Sequence, residues 1–412
     1  MLYDTIVIGA GLSGLMAALG RAEAGAKTIL LAKGNGTTHW STGCIDIYDA
    51  PEGDPQAAVT NLTVEQPEHP YALAGPRVLE RSIERLRAVC ADAGYPLAGS
   101  LSRNLKLPTA LGALRPTCLA PATMVNGDLR SFQGRMLIAG FHELRDFFPP
   151  MIAANLQAQG FSAEGFYLDL PPVARSLDFS TVSFARLFDQ PAFRQHVGEQ
   201  LRRLVKSGRY ERVALPAVLG LDQPLAVVSD LQAAAGALIF EIPTLPPSVA
   251  GIRLYQLLEQ AFERAGGRVQ IGSHVQRAES SGGRLAAVYS EAAAREQGHR
   301  AARYVLATGG LIGGGLRADY TGALRETALG LPVQEVPARE NWFDARFLGD
   351  AEHLIFRAGI AADKQLRPLD QSGAVVYENL AVVGCALRGA DPIREGCLEG
   401  MAIATGYMAG AA

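Results

Sequence analysis

The sequence is poor in the residues that build disulfide frameworks and metal centres. Its five cysteines are scattered over 412 residues and include no CxxC pair. Such a set favours reduced thiols and argues against structural disulfides, an iron–sulfur cluster or a zinc site within the chain. No run of about 18 uncharged apolar residues is present, so we expect no membrane-spanning helix. Because a signal peptide is also missing, we predict a cytoplasmic location.

Several classes of function are excluded by what else is absent. The sequence has no GxSxG, no HExxH and no Walker lysine, so no motif of covalent, zinc-dependent or P-loop chemistry is present. The formal net charge is −3, which gives no electrostatic reason to expect nucleic acid or anionic lipid as a direct partner. With 48% hydrophobic residues, the chain is expected to bury an extensive core. Its 412 residues exceed what one core normally carries, so we expect two lobes.

The strongest motif is at the N-terminus. Residues 4–8 are a short apolar run typical of a buried parallel strand, and a GxGxxG sequence follows directly. Residues 12–22 have helical apolar spacing, and residues 27–31 predict a second strand. This βαβ context indicates a dinucleotide or flavin phosphate site at a helix N-terminus; the alternative is a purely structural glycine turn. The predicted cofactor-binding residues here are Gly9, Gly11, Leu12, Ser13 and Gly14.

One position departs from the usual fingerprint. A carboxylate that accepts hydrogen bonds from the adenosine ribose is expected at the end of the second strand. The sequence has Ala32 and Lys33 there, and no carboxylate lies between Glu23 and Asp46. The next residues are glycines and hydroxylated residues, which predict further ligand contacts or, alternatively, a long polar loop. The predicted cofactor-binding residues of this stretch are Lys33, Ser41, Thr42 and Gly43.

Two later segments complete the predicted site. Residues 305–310 form an apolar run that ends in glycines, which is typical of a strand exit where backbone approaches a cofactor. Residues 379–384 predict another strand, and a helix opening at residues 396–400 would direct its positive end at a flavin ring. An ordinary strand exit and a terminal helix that merely packs are the alternatives. The predicted cofactor-binding residues here are Thr308, Gly309, Gly384, Glu399, Gly400 and Met401.

Catalytic residues are not marked by any motif. Arginine forks suit oxyanions, so Arg253, Arg317, Arg325 and Arg388 are candidates for binding a phosphorylated or anionic substrate. Arg325 follows a triple glycine and Arg388 lies in the terminal loop, which makes these two the candidate catalytic residues. The histidines are isolated from one another and are expected to be structural or solvated. We predict no metal site.

The order of elements predicts an α/β fold. We expect a Rossmann-like FAD/NAD(P)-binding domain with a three-stranded β-meander, split by an inserted α/β lobe. The meander is predicted at residues 274–279, 284–290 and 303–308. The predicted domain limits are 1–50 together with 237–412 for the flavin-binding domain, and 51–236 for the inserted lobe.

Four stretches carry a family resemblance. They are residues 68–76 (EHPYALAGP), residues 243–254 (PTLPPSVAGIRL), the triple glycine 313–315 with Gly330, and residues 391–397. On these stretches the chain resembles, nearly end to end, the B subunit of anaerobic glycerol-3-phosphate dehydrogenase.

The resemblance implies a flavoprotein member of a three-part complex. In that family, an FAD-containing dehydrogenase subunit oxidises sn-glycerol 3-phosphate to dihydroxyacetone phosphate. An iron–sulfur subunit contacts the membrane, and electrons pass to a quinone. The B subunit is assigned FMN, which agrees with the missing carboxylate at Ala32; FAD is the alternative. The resemblance also implies peripheral placement at the inner face of the cell membrane through the partner subunits.

Three hypotheses follow. The first is an electron-transferring flavoprotein subunit of such a complex. The second is a self-sufficient FAD-dependent dehydrogenase or reductase of a small anionic substrate, with Arg325 or Arg388 near the flavin. The third is a flavin-free scaffold that lost its cofactor through changes at Ala32, Cys385 and Glu399, which depart from what related flavin sites carry.

Overall fold

The computed structural model describes residues 2–50, 53–171, 179–292, 295–346 and 351–412. The helices are α1 (Leu12–Glu23), α2 (Pro55–Glu65), α3 (Pro70–Ala74), α4 (Pro76–Asp92), α5 (Pro149–Ala158), α6 (Thr181–Phe188), α7 (Pro191–Gly208), α8 (Pro224–Ala235), α9 (Val249–Arg264) and α10 (Leu398–Ala411). The strands are β1 (Leu2–Ile8), β2 (Thr28–Ala32), β3 (Leu97–Gly99), β4 (Leu105–Pro108), β5 (Leu114–Thr117), β6 (Leu119–Pro121), β7 (Arg135–Phe141), β8 (Ser162–Leu168), β9 (Arg212–Pro216), β10 (Leu238–Ile242), β11 (Arg268–Ile271), β12 (His274–Ser281), β13 (Arg284–Ala292), β14 (Arg295–Leu306), β15 (Leu316–Ala318), β16 (Leu324–Glu326) and β17 (Leu380–Val382).

The chain divides into two compact units. The first unit contains Met1–Thr37, Asp46–Val89 and Gln256–Ala412, and the second contains Thr38–Ile45 and Cys90–Tyr255. These limits differ from the predicted ones, because residues 53–89 belong to the first unit and residues 38–45 and 237–255 to the second. The functional division into a flavin-binding domain and an inserted lobe stays a prediction.

The first unit is built on a seven-stranded sheet. The strand order is β11-β2-β1-β14-β13-β12, and β17 also pairs with β14. Strands β11, β2, β1, β14 and β17 pair in parallel, whereas β12, β13 and β14 form an antiparallel meander. All five residues of β2 are buried, as is usual for an interior strand of a parallel sheet. The predicted fold class, including the meander, is confirmed.

Helices α1 and α10 pack closely in this unit. A methyl group at Gly406 would clash with the Ser13 carbonyl oxygen, and one at Gly410 would lie 3.0 Å from the Ala17 carbonyl oxygen. The two glycines therefore allow the helix backbones to approach. Helix α10 is apolar and buried over most of its length, so it lacks the amphipathic pattern of a surface helix.

The second unit contains a four-stranded sheet with the order β10-β9-β7-β8, in which all neighbours are parallel. Its core includes a cluster of phenylalanines around Phe141, whose ring centroid lies 5.0 Å from that of Phe184. None of the helices within the described ranges is both long enough and apolar enough to cross a bilayer.

Candidate flavin site

The glycine turn between β1 and α1 is closely packed at Gly9 and Gly14 and open at Gly11. Gly9 has a φ of +116°, and a side chain there would clash with the Ala307 carbonyl oxygen. A side chain at Gly14 would clash with the Gly9 carbonyl oxygen. Gly11, the N-cap of α1, differs because a Cβ at this position would meet no atom within 4 Å. The space beside the first amides of α1 is therefore open to an anion, as the predicted phosphate site requires.

The segment after β2 covers the other side of this turn. Gly36 has a φ of +72°, and a Cβ there would lie 2.9 Å from the backbone nitrogen of Gly11. Because Gly36 and Gly11 have no side chains, the backbone of the segment after β2 packs directly against the backbone of the turn, beside the open space. Lys33, predicted to bind the cofactor, is exposed at the end of β2.

The hydroxylated residues that follow belong to the second unit and are engaged locally. The Ser41 hydroxyl donates to the Thr38 carbonyl oxygen at 3.0 Å, and the Gly43 and Cys44 amides donate to the side chains of Ser41 (3.4 Å) and Thr42 (3.3 Å), respectively. These hydrogen bonds are all made within residues 38–44, so the turn is held without a ligand. Cofactor contacts by Ser41, Thr42 and Gly43 stay a prediction.

A mostly apolar cavity lies where β14 ends in the first unit. The space in it that a water-sized sphere can occupy is about 50 Å³, less than the roughly 300–1,000 Å³ of small-molecule and cofactor pockets. Gly309 and Gly310 form one side of it, and Leu398 and Met401 at the start of α10 also contribute. All its lining side chains are uncharged: Thr37, Leu311, Ile312, Phe356, Ala358, Cys385, Leu387, Ala390, Pro392, Leu398 and Met401, together with three glycines.

Two polar side chains lie in or next to the cavity. Within the described ranges the Thr308 hydroxyl has no hydrogen-bond partner, and the Cys385 thiol carries no charge. The hydroxyl of Thr308, which precedes Gly309, is buried and has no hydrogen-bond partner among the described residues. Such a group suits a site that completes its hydrogen bonds with a ligand. Burial and the nearby Glu399 carboxylate raise the pKa of the Cys385 thiol to about 12, so Cys385 is protonated at neutral pH and not a nucleophile. The uncharged lining matches the apolar faces of a flavin ring in its chemistry, and the cavity would have to widen to admit the ring.

The cofactor-binding residues predicted near the end of the chain differ in where they lie. Met401 is at the cavity, whereas Gly384 and Gly400 are packed against other parts of the first unit. Met401 lines the cavity, and a Cβ at Gly384 would lie 2.7 Å from the Ser13 hydroxyl oxygen. The Gly400 amide instead donates to the Asp46 carbonyl oxygen at 2.9 Å. A side chain at Gly400 would clash with the Tyr71 hydroxyl, so this glycine is needed for packing. Sequence reasoning missed most of the apolar lining residues, because nothing in their local pattern marks them.

The candidate catalytic arginines do not line the cavity. Arg388 donates to Gln334 at 2.9 Å and forms ion pairs with Glu68 and, at 3.5 Å, with Glu335. Its charge is therefore already balanced by two carboxylates. Arg325 is exposed on β16 and is not one of the residues that line the cavity.

Arg253 has a structural position in the second unit. It is 4% exposed, and both terminal nitrogens donate to the Glu241 carboxylate, at 2.8 and 3.1 Å. Its Nε donates to the Gly220 carbonyl oxygen at 2.8 Å. Because the guanidinium is already engaged, Arg253 is unsuited to binding a substrate.

A buried hydrogen-bond network anchors the loop that precedes α10. The His69 Nε2 lies 3.0 Å from Glu395 Oε2, and the Cys397 thiol donates to the same oxygen at 3.4 Å. The Arg357 guanidinium donates to Glu395 Oε1 at 3.3 Å. The network connects residues 66–71 with the loop containing Ala390 and Pro392, which line the cavity.

The side chains of this cluster have the spacing of metal ligands, and in this structure they hydrogen-bond to one another. Ligand atoms of His69, Glu395 and Cys397 lie within 4.8 Å of one another. The Tyr71 amide donates to His69 Nδ1 at 3.1 Å, so neutral His69 carries its proton on Nε2 and donates it to Glu395. Burial and the neighbouring Glu395 raise the pKa of the Cys397 thiol well above its usual value, so this sulfur is also protonated.

Replacing Glu395 by glutamine is expected to destabilise the first unit by about 1–3 kcal/mol at pH 7, because Arg357 and the two buried donors lose their charged acceptor. Burial favours a higher pKa for Glu395, but the His69 hydrogen bond and the Arg357 charge outweigh it and lower the pKa. A lowered pKa stabilises the fold above the unfolded-state value near 4.5. The difference between wild type and Glu395→Gln should therefore begin to shrink as pH falls below about 4.5 and should disappear only below the lower pKa of the folded state.

Urea unfolding between pH 7 and pH 3.5 measures this difference. Glu352→Gln is the matched control, because Glu352 contacts the same Arg357 at 2.9 Å but its side chain is 43% exposed. This variant should lose less than about 1 kcal/mol. Equal losses in the two variants would contradict a special role for Glu395.

The comparisons with known proteins agree with this geometry. A family model described as "FAD binding domain" matches residues 4–400. The B subunit of anaerobic glycerol-3-phosphate dehydrogenase from Yersinia pestis bv. Antiqua (strain Antiqua) is 36% identical over 98% of this chain and 96% of the relative. This chain belongs to that B-subunit family.

Further relatives support the assignment. Proteins of the same name from Pectobacterium atrosepticum and Vibrio cholerae serotype O1 are 33% and 32% identical, over 98% and 99% of this chain and 96% of each relative. Among solved structures, a 3-ketosteroid Δ1-dehydrogenase from Sterolibacterium denitrificans aligns over 99% of this chain and 98% of its own, with 12% identity and a TM-score of 0.47; a similarity this low adds no argument. The predicted resemblance is confirmed, and the chain is a member of a flavin-binding oxidoreductase family.

Proposed function

We propose that this protein is the electron-transferring flavoprotein subunit of a glycerol-3-phosphate dehydrogenase complex. A partner subunit carrying FAD would oxidise sn-glycerol 3-phosphate to dihydroxyacetone phosphate. This chain would accept the electrons and pass them to a partner subunit with iron–sulfur clusters, and from there toward quinone. The assembly would place the chain at the cytoplasmic face of the membrane through its partners.

The uncharged lining of the cavity is the observation that carries the proposal. Oxidation of an alcohol needs a base to accept the hydroxyl proton, and a phosphorylated substrate needs cations to bind it. The side chains that line the cavity supply neither. Electron transfer between cofactors needs only a positioned and desolvated flavin, and an uncharged, mostly apolar lining would suit the desolvation of its ring.

The phosphate turn would bind the phosphate of the cofactor, and the cavity would bind its ring. A bound flavin supplies two-electron acceptance and one-electron release. The α1 amides beside Gly11 would bind its phosphate, the Thr308 hydroxyl would complete its hydrogen bonds with the cofactor, and Leu398 and Met401 would exclude water from the ring. The protonated Cys385 would act as a neutral wall of the ring pocket.

FMN is the proposed flavin. The end of β2 has Ala32 and Lys33 where an adenosine ribose needs a carboxylate. FMN requires only the phosphate turn and the ring pocket, so this sequence difference has no consequence for it. FAD is the alternative that the family model's description favours.

The two other hypotheses fit the structure less well. A self-sufficient dehydrogenase requires a basic residue at the flavin, but Arg388 is paired with Glu68 and Glu335 and Arg325 lies on an exposed hairpin. A flavin-free scaffold would have no need for the open space at Gly11 or the unpartnered Thr308 hydroxyl.

Purified alone, the protein is expected to release FMN on heating and to show no glycerol 3-phosphate oxidation with an artificial dye acceptor. When the FAD-carrying partner subunit is added, glycerol 3-phosphate should bleach the flavin absorbance of this chain. Chromatography of the released flavin and visible spectroscopy measure both results. Rapid turnover by the isolated chain would contradict the proposal and support a self-sufficient dehydrogenase, and a colourless protein would support the scaffold.

A further inference from the structure

A large groove lies at the amino ends of the parallel strands in the first unit. Its lining includes residues 24–26, which come shortly before β2, and Glu378 and Asn379, which come directly before β17. The phosphate turn and the cavity follow the carboxyl ends of β1 and β14, so the groove lies at the opposite edge of the sheet. The space in it that a water-sized sphere can occupy is about 1140 Å³, which exceeds the roughly 300–1,000 Å³ of small-molecule and cofactor pockets. The groove is therefore separate from the candidate flavin site.

The charged side chains of this feature, which we call the basic groove, are mainly positive. Its lining contains five basic and two acidic residues: Arg21, Arg284, Arg303, Lys364 and Arg367 against Asp4 and Glu378. The whole chain, by contrast, has a formal net charge of −3. A concave surface lined mainly by one sign of charge focuses the electrostatic potential and attracts groups of the opposite charge. The basic groove is therefore suited to an anionic partner.

Arg21 and Arg303 lie side by side at one end of the basic groove. Each donates through its Nη1 to the Ala412 carbonyl oxygen, at 2.8 and 2.7 Å, respectively. Within the described ranges, neither pairs with a carboxylate side chain. Burial lowers the pKa of Arg303, and the positive charge of Arg21 lowers it further. An acidic group bound here would offset the repulsion between the two guanidinium groups.

The other three basic side chains lie around the segment that precedes β17. The Arg367 guanidinium lies 2.5 Å from the Glu378 carboxylate, so this acidic residue is already engaged. The Glu378 amide donates to the Gly283 carbonyl oxygen at 2.9 Å, which places Arg284, the next residue, beside this pair. Arg284 and Lys364 are exposed, and neither forms an ion pair with another described residue. Their charges are therefore available to an incoming anionic group.

Asn379 connects the two ends of the basic groove. Its side-chain oxygen accepts from the Leu285 amide at 2.8 Å, and its side-chain nitrogen donates to the carbonyl oxygens of Leu285 and Ala302, at 3.0 and 3.3 Å. Leu285 directly follows Arg284, and Ala302 directly precedes Arg303. The basic residues therefore flank one hydrogen-bonded floor on two sides, which suits an extended occupant better than a compact anion.

We propose that the basic groove binds an acidic, extended segment of a partner subunit. Cations on both sides of Asn379 match carboxylates that are spaced along a chain, and the groove is larger than a small anion needs. None of the described lining residues is aromatic, so the groove offers no ring on which a nucleotide base would stack. The inference rests on the proposed function in one respect, because the segment belongs to a partner of that complex. Docking at this edge of the sheet leaves the cavity at the opposite edge free for the cofactor.

Binding of the flavin-loaded protein to each purified partner subunit, the FAD-carrying and the iron–sulfur one, tests this proposal. Bio-layer interferometry at low and at high salt measures the affinities. At low salt, the double variant Arg284→Gln/Lys364→Gln should bind one partner at least about tenfold more weakly than wild type does. The difference should shrink at high salt, because screening weakens the pairing of exposed charges.

The double variant Arg77→Gln/Arg81→Gln is the matched control. Arg77 and Arg81 are exposed on α4, do not line the basic groove and form no ion pair within the described part of the chain. This variant also loses two positive charges, and it should bind both partners as wild type does. Flavin content and urea midpoints confirm that both double variants fold.

The outcomes separate the two proposals. Weaker binding by the groove variant alone would support the docking site. Equal affinities of wild type and the groove variant for both partners would overturn the docking site and leave the proposed function intact. Calorimetry with inorganic tripolyphosphate adds a second readout: if the groove variant lost only tripolyphosphate binding, the groove would be a small-anion site and the docking proposal would be wrong. Failure of wild type to bind either partner would overturn the proposed function and the docking site together.

Discussion

Replacing Gly9 by alanine is expected to destabilise the first unit by more than about 4 kcal/mol and to abolish flavin binding. Gly9 has a φ of +116°, in a region that L-residues rarely adopt, and its Cβ would clash with the Ala307 carbonyl oxygen. Because β1 and β14 are paired up to Ile8 and Leu306, directly before this contact, neither segment can move away without breaking the sheet. Yield, urea unfolding and flavin content of the purified variant measure the effect.

Gly11→Ala is the matched control for this prediction. Its Cβ would enter open space, so the variant should fold with a urea midpoint near that of wild type. The added methyl group would occupy the space proposed for the flavin phosphate, and flavin affinity should therefore fall. A Gly11→Ala protein with full flavin content would contradict the placement of the phosphate, and a stable Gly9→Ala protein would contradict the geometry of the turn.

Replacing Arg253 by methionine is expected to destabilise the second unit by about 3–5 kcal/mol, because the buried Glu241 carboxylate would lose its countercharge. Glu241 is 2% exposed and would keep only neutral donors, the Thr123 hydroxyl at 2.6 Å and the Leu219 amide at 2.8 Å. Urea unfolding monitored by circular dichroism measures the loss.

An exposed ion pair provides the comparison. Arg277 contacts Glu296 at 2.9 Å, and both side chains are about half exposed, so Arg277→Met should change stability by less than about 1 kcal/mol. If Arg253→Met were as stable as Arg277→Met, the buried pair would have no structural role. Substrate binding by Arg253 would then become a hypothesis again.

Features that depend on neighbouring residues were predictable from the sequence. The GxGxxG turn needs a strand before it and a helix after it, and residues 4–22 contain all three parts. The meander was predicted at residues 274–308 because short apolar strands separated by turns pair with their sequence neighbours. In both cases the physical constraint acts over fewer than about 35 residues.

Long-range partners were not predictable in this way. His69 fits the expectation of a structural histidine, but its hydrogen-bond partner Glu395 lies 326 residues away and could not be named from the sequence. Arg388 was a candidate for binding an anionic substrate, but Glu68 and Glu335 balance its charge. A side chain's partners depend on which segments the fold brings together, and no local pattern records them.

The opening motif illustrates the limit of the sequence by itself. The sequence determined the glycine turn and the absence of a carboxylate at Ala32, because both are properties of adjacent residues. Only the tertiary structure distinguished the glycines, since Gly9 is packed against Ala307 and Gly11 faces open space. It also gathered the uncharged cavity from residues between Thr37 and Met401, because a pocket is formed by surfaces that meet only after the chain has folded.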